Sequence, residues 1–473
     1  MKWQNTIASL FWLSNVNCDG MVVEDEEGGS LRVVSLSLER NKIQDPVTYD
    51  RQRILKRQGT VEANLDNLQT LYFFNASLGT PAQDLRLHLD TGSSDLWVNT
   101  PTSSLCEASN GRCGKSGTYN ANSSSTYEYL NSRFNISYVD GSSANGDYAT
   151  DVFQFENIDI KNFQFGIGYT SSSPQGILGI GYPQNEVQAA RSGQPPYDNL
   201  PARLLADGRI ATNAYSIWLD NINSTTGSLL FGGVDKSQYN GNLVTVPVQK
   251  AGSSFREFFI TMTGLNVGSK VVADNMALAV LLDTGSSLTY LPEDVADSIF
   301  KAVNATWLEK PQLAVIPCEA GNSDDTITFQ FSKPASIDVP LKELVLPIIS
   351  QNGRQPRLSD GRTACLFGIF PSAAGAKVLG DTFLRSAYVV YDITNNEISL
   401  AQSNFDAKPE GSDVVEIRAG KNRLPNATAA RNPVAAKSGL PILGSPASSI
   451  QLKVTHLATT LSLMLVFGAL FGG

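Results

Sequence analysis

The pentapeptide Asp-Thr-Gly-Ser-Ser occurs twice in this chain of 473 residues, at 90–94 and, 193 residues later, at 283–287. The longer contexts are LHLDTGSSDLWV at 87–98 and VLLDTGSSLTYL at 280–291, so each copy follows an apolar run of β-strand character. Each is also answered downstream by a second apolar signature, GILGIG at 176–181 and KVLGDTFL at 377–384. The intervals from the aspartate to the leucine of that signature are 88 and 96 residues. A repeat of this kind implies two lobes of similar plan, each contributing one aspartate. Within each turn, glycine can take backbone conformations closed to other residues, and neighbouring N–H and hydroxyl groups can hydrogen-bond the carboxylate. A single Asp-Thr-Gly is an ordinary turn; two extended copies with matching partners constrain the whole architecture.

Composition narrows the chemistry that such a pair can serve. The formal charge is -9 with no basic stripe, which argues against a nucleic-acid partner held through phosphates. Histidine occurs only at 88 and 456, and His456 lies in an apolar tail. Multi-histidine metal sites are therefore excluded, and a Ser-His-Asp triad would have to use His88. The five cysteines, at 18, 106, 113, 318 and 365, lack the short paired spacing of a zinc site. Neither a metal nor a cofactor is expected, and carboxylates remain as the catalysts. With 42% hydrophobic residues the chain is globular, and its length suggests two or three folded units on a scale of about 150 residues each.

Further motifs extend the pattern: Gly79-Thr80-Pro81, DTGSSDLWV, Tyr138 followed by VDGS, GILGIGY, the second DTGSS, and VLGDTFLRSAYVVYD at 378–392. In this order the series resembles the pepsin-like aspartic endopeptidases over about residues 70–405. The resemblance implies a mainly β, bilobal pepsin-like fold: two pseudo-symmetric β-rich lobes, 58–245 and 246–405, with the active cleft between them. It implies that Asp90 and Asp283 hold a water between them. One carboxylate deprotonates it as it attacks the peptide carbonyl, and the other protonates the carbonyl oxygen. Two like charges so close share one proton. Thr91 and Thr284 then correspond to the residues locking the two turns together, and Ser93 and Ser286 to hydroxyls bonded to the aspartates, with Gly92 and Gly285 shaping the turns.

The stretch Phe134 to Tyr148 alternates and turns at Asp140-Gly141, a hairpin signal. By resemblance it is the flap that closes over substrate, with Tyr138 as the flap tyrosine and Trp97 the indole that bonds its hydroxyl. Val139 stands where the family usually has glycine, a departure that stiffens the flap. Asp140 is placed to face a basic side chain of the substrate through a charge-assisted contact; its plain alternative is to make the turn. His88 shares a strand side with Asp90 by alternation, but a packed strand histidine is the more ordinary outcome. Cys106, Cys113, Cys318 and Cys365 allow three connectivities, and the resemblance implies pairing within each lobe.

The ends of the chain read differently. Residues 1–18 have a basic Lys2, an apolar run and small residues before Asp19, the layout of a secretory signal. Cleavage after Cys18 would remove the odd cysteine. Residues 19–57 form a charged pro-segment ending in Lys56-Arg57, to be cut by a proprotein-processing protease or by the enzyme itself, with Lys42 or Arg40 as candidates to lie across the dyad. Between Asp406 and Ser449 there is no Phe, Tyr or Trp, so residues 406–449 are expected to be a Ser/Pro/Ala-rich stalk. Residues 450–473, with the apolar run 457–471, read as a GPI-attachment signal, with Ala447 or Ser448 as attachment candidates. Sequons begin at Asn75, Asn122, Asn135, Asn223, Asn304 and Asn426. The layout resembles the fungal surface yapsins, which favour basic residues.

The expectation is a monomeric, glycosylated aspartic endopeptidase, made as a zymogen and routed through the secretory pathway to a GPI anchor on the plasma membrane or to the cell wall. It would act on peptides and proteins. Two other readings carry different consequences: an inactive protease-like protein that binds peptides or wall components, and a structural wall protein whose stalk is the working element.

Overall fold

The strand Gln83–Asp90 explains how the first repeat is built. Leu85, Leu87, His88, Leu89 and Asp90 are all buried, as expected of a strand covered on both faces. It runs antiparallel to Leu68–Leu78, with Phe74 opposite Leu87 and Phe73 opposite His88, and parallel to Ile177–Gly179, with Leu89 opposite Leu178. The His88 ring lies 5.8 Å from that of Phe73, so it is a packed strand histidine. In the computed structural model residues 32–44 and 68–441 are described, except 109–111, 138–142, 311, 349–354, 373–374 and 409–411.

The second repeat copies this plan. Leu278–Leu282 runs antiparallel to Phe259–Met262 and parallel to Val378–Leu379, with Leu282 opposite Leu379. In both halves the strand after the Asp-Thr-Gly turn returns against the downstream signature: Trp97 pairs with Ile177, and Tyr290 with Val378. Each aspartate therefore ends a strand whose parallel neighbour is the second signature, which is what the 88- and 96-residue intervals encode. At Gly380 a Cβ would lie 2.2 Å from the Ser286 carbonyl oxygen and 2.4 Å from that of Leu288. Only glycine lets the returning chain pass so close to the turn.

One sheet joins the halves. Ala214–Trp218 pairs with Thr226–Phe231 on one side and with Ala387–Asp392 on the other, and the sheet continues through Glu397–Ser403 to Tyr239–Pro247. At the junction Tyr215 faces Tyr391 with rings stacked 5.0 Å apart, burying two large aromatic faces where the repeats meet.

The strand Val34–Gln44 is inserted between Thr226–Phe231 and Leu68–Leu78. Val34, Leu36 and Leu38 point inward while Ser35, Ser37 and Glu39 are exposed, a clean period of two. Arg40 takes the next inward position. Its guanidinium donates to the carbonyl oxygens of Ile222 at 2.6 Å, Ser224 at 3.2 Å and Asn221 at 3.3 Å. The expectation that offered Arg40 as a candidate to lie across the dyad is thus corrected: strand register turns it into the loop after Ala214–Trp218. The Lys42 side chain lies outside the described residues.

The expected stalk also differs. Val414–Glu416 pairs antiparallel with Gly233–Asp235, Ala427–Ala429 lies parallel to Leu243–Thr245, and Ser438 bridges Leu278. Ile417 is buried among Trp218, Val234, Tyr239 and Tyr388, with Val415, Leu424 and Ala427 packed alongside. Composition averaged over 44 residues is too poor to form a core, but these few apolar residues need only fill a groove on a core already present.

Both pairings implied for the cysteines are present: Cys106 with Cys113, and Cys318 with Cys365, at Cα separations of 5.3 and 4.9 Å. Asn75, Asn122, Asn135, Asn223, Asn304 and Asn426 are all exposed. Among the described residues no helix is long and apolar enough to cross a membrane. Residues 1–18, Lys56, Arg57, Ala447, Ser448 and the run 457–471 lie outside the described residues.

Candidate active site

Each Asp-Thr-Gly turn closes on its own aspartate. The Gly92 N–H donates to Asp90 Oδ1 at 2.8 Å and the Ser93 hydroxyl to Oδ2 at 2.6 Å. In the other copy the Gly285 N–H donates to Asp283 Oδ1 at 2.8 Å and the Ser286 hydroxyl to Oδ2 at 2.8 Å. Both aspartates are buried. Hydrogen bonds of this kind fix the plane of a carboxylate and leave its remaining lone pairs for chemistry.

The two turns are then tied to each other. The Thr91 N–H donates to Thr284 Oγ1 and the Thr284 N–H to Thr91 Oγ1, each at 3.1 Å. The hydroxyls in turn donate across the pair, Thr91 to the Leu282 carbonyl and Thr284 to the Leu89 carbonyl, each at 3.0 Å. Gly92 shows how tight the approach is. A Cβ there would stand 2.6 Å from Asp283 Oδ1, so a side chain at 92 would displace the opposite carboxylate. The four bonds hold the two Asp-Thr-Gly turns, from distant parts of the chain, against each other with matching supports for their carboxylates, an arrangement suited to general acid and base work on one bound water.

Trp97 and the hairpin flank this floor. Trp97 is fully buried and packs with Phe134, Ile136 and Tyr148. The hairpin consists of Glu128–Ser137 and Ser143–Phe155, paired to Ser137 opposite Ser143. Its turn, carrying Tyr138, Val139, Asp140 and Gly141, lies outside the described residues, and with it the expected contact between Trp97 and Tyr138.

Behind the hairpin lies a buried acidic hub that sequence reasoning missed. Asp95 Oδ1 accepts the Tyr148 hydroxyl at 2.6 Å and the Tyr197 hydroxyl at 3.0 Å, while Oδ2 accepts the Val187 N–H at 2.9 Å. Burial raises the Asp95 carboxyl, against the pull of the Tyr148 and Val187 bonds. Glu186 beside it is buried too, and among the described residues only its Oε2 finds a donor, the Tyr197 N–H at 2.8 Å. Burial pushes that carboxyl up to about 10, opposed by the Tyr197 N–H and reinforced by Asp95. The signal available was Asp95 itself, a charged residue set directly before the apolar Leu-Trp-Val of a buried strand. Nothing in sequence distinguishes Glu186 from a surface glutamate.

Residues 71–403 match the family model described as eukaryotic aspartyl protease. The chain belongs to the pepsin-like aspartic endopeptidases. This endopeptidase is 48% identical over 407 residues to the Aspergillus fumigatus protein named "Probable aspartic-type endopeptidase opsB", covering 85% of this chain and 82% of that one. It is 38% identical over 359 residues to "Secreted aspartic protease 3" of Candida albicans, covering 74% and 84%. The crystal structure of the aspartic proteinase from Irpex lacteus superposes with a TM-score of 0.59 at 21% identity, over 80% of this chain and 99% of that one. That likeness concerns the fold, and the bilobal β architecture of the endopeptidase agrees with it.

Proposed function

We propose that Asp90 and Asp283 are the catalytic pair of this endopeptidase. The reciprocal threonine bonds that hold the two Asp-Thr-Gly turns together carry the reading. One carboxylate removes a proton from the bound water as its oxygen attacks the carbonyl carbon, and the other gives its proton to the carbonyl oxygen. Collapse of the tetrahedral diol breaks the C–N bond: the departing nitrogen takes the proton the first carboxylate had gained, and one diol hydroxyl returns a proton to the second carboxylate, which leaves the carboxylic acid product and restores the dyad. No covalent enzyme intermediate is needed. The flap is the hairpin 128–155, with Tyr138 as its tyrosine and the Trp97 indole N–H bonding the Tyr138 hydroxyl.

The setting we propose is the secretory pathway and the cell surface. It rests on the signal-like residues 1–18, six exposed sequons and the GPI-like 450–473, and the similarity to a protein named as secreted agrees with it. Maturation follows a cut after Lys56-Arg57. Asp140 gives a preference for Lys or Arg in the substrate, through the carboxylate it sets at the flap turn.

The test is to digest a diverse peptide mixture with the purified, processed protein at acidic pH and map every cut, alongside D90N. Cuts next to Lys or Arg that vanish in D90N are expected. Cuts between bulky apolar residues would remove the role given to Asp140, and cutting that survives in D90N would remove the dyad.

A further inference from the structure

Among the described residues the outer strand of the hairpin, Glu128–Ser137, is the last strand of its sheet, with Ser143–Phe155 as its neighbour. An edge strand leaves one row of backbone groups without a ladder partner. Here two of those groups are taken up by a single side chain. Arg191 donates from Nη1 to the Asn135 carbonyl at 2.7 Å and from Nη2 to the Ser137 carbonyl at 2.9 Å. Carbonyls two residues apart point to the same side of a strand, so the flat guanidinium fork spans both. These are the last residues described before the flap turn.

The segment that presents Arg191 is itself anchored. The helix Val187–Ser192 begins with the Val187 N–H on Asp95. Asp95 also holds Tyr148 of the inner hairpin strand. Gln188 is braced on both sides, donating to the Pro195 carbonyl at 2.6 Å and accepting from Gln164 at 2.9 Å. One short helix therefore links the buried end of the Asp90 strand-turn-strand unit to both strands of the hairpin, through Asp95 on the inner strand and Arg191 on the outer one.

We propose that Arg191 is a positioning residue for substrate binding: it holds the outer flap strand in register with the cleft floor, so that substrate meets a flap already ordered. The proposal rests on the reading of hairpin 128–155 as the flap. Without the guanidinium, the strand end populates detached conformations, and apparent affinity falls by the fraction still competent to bind. Once substrate is bound and the flap closed, the dyad is unchanged, so the loss falls on KM and spares kcat.

The experiment compares the purified, processed parent, R191A and R191K by steady-state cleavage of a peptide that the parent cleaves, and by hydrogen exchange of the segment 134–137. Because Arg191 is exposed, R191A is expected to fold with a thermal midpoint close to the parent's. KM in R191A should rise about five- to tenfold with kcat within about twofold, and exchange at 134–137 should quicken, as expected for losing two charge-assisted bonds. R191K should recover part of both, since an ammonium reaches one carbonyl at a time. Unchanged exchange and unchanged KM would overturn the proposal by showing that Arg191 does not hold the strand. Faster exchange with unchanged KM would overturn it differently, by showing that the hairpin is held but does not close over substrate. In that case the flap reading fails and the clamp stands. A fall in kcat at unchanged KM would also overturn it.

Discussion

Thr91 and Thr284, 193 positions apart in sequence, exchange backbone N–H groups for each other's hydroxyl oxygens at 3.1 Å. Each hydroxyl also donates to a carbonyl of the opposite strand, so both threonine N–H groups and both hydroxyls in this buried crossing have partners, as burial demands.

Replacing either threonine by alanine strands an N–H and a carbonyl in the interior. T91A or T284A should lose about 2–4 kcal/mol of stability in urea titration, and T91S or T284S much less, because serine keeps the hydroxyl. Activity should fall at least about tenfold in the alanine variants, since the supports of both aspartates shift together. Equal losses in the serine and alanine variants would show that the methyl groups matter and the hydrogen bonds do not.

The Glu186 carboxyl gives stability a pH slope of known sign. Folding raises it from 4.5 to about 10, so the folded form keeps a proton that the unfolded chain releases above its own value. The contribution is complete below about pH 4.5 and is lost progressively as pH rises towards 10. E186Q removes the ionisation. It should match the parent near pH 4 and exceed it at pH 7 by an amount on the order of 2–3 kcal/mol, read from denaturant midpoints at both pH values. A parallel pH dependence in E186Q would assign the slope to other groups.

The two disulfides close loops of very different length, with sequence separations of 7 and 47. On the loop-entropy model, C318S/C365S should lose about 4 kcal/mol and C106S/C113S about 2 kcal/mol. Calorimetry of the two double variants checks the order, and a larger loss for the short loop would mean that its bridge acts through native contacts.

How much of this could be read beforehand depended on whether a residue's role was local or acquired by folding. Asp90, Asp283 and their strands were legible because the repeat placed each aspartate beside a recognisable partner segment, and those segments do pair, Leu89 with Leu178 and Leu282 with Leu379. The cysteine pairs followed from the same resemblance. Glu186 and Arg191 were invisible because their roles come from distant partners, Tyr197 and Asp95 for one and the Asn135 and Ser137 carbonyls for the other. The inward Arg40 was misread because a basic residue ahead of the mature lobes suggested electrostatics at the dyad, whereas strand register sent it to backbone carbonyls. The packing of 412–441 was missed for a related reason: three-residue strands leave no periodic signature long enough to detect.

That packed arm alters the geometry of any attachment to a surface. Measured from residue 406 to a candidate attachment at Ala447, a free stalk could extend up to about 150 Å. With the chain laid down through Ser438 beside Leu278, only residues 442–447 remain to span the gap, at most about 20 Å. Such an enzyme would be moored, not leashed, and would meet only the substrates that come within roughly one molecular diameter of the surface that holds it.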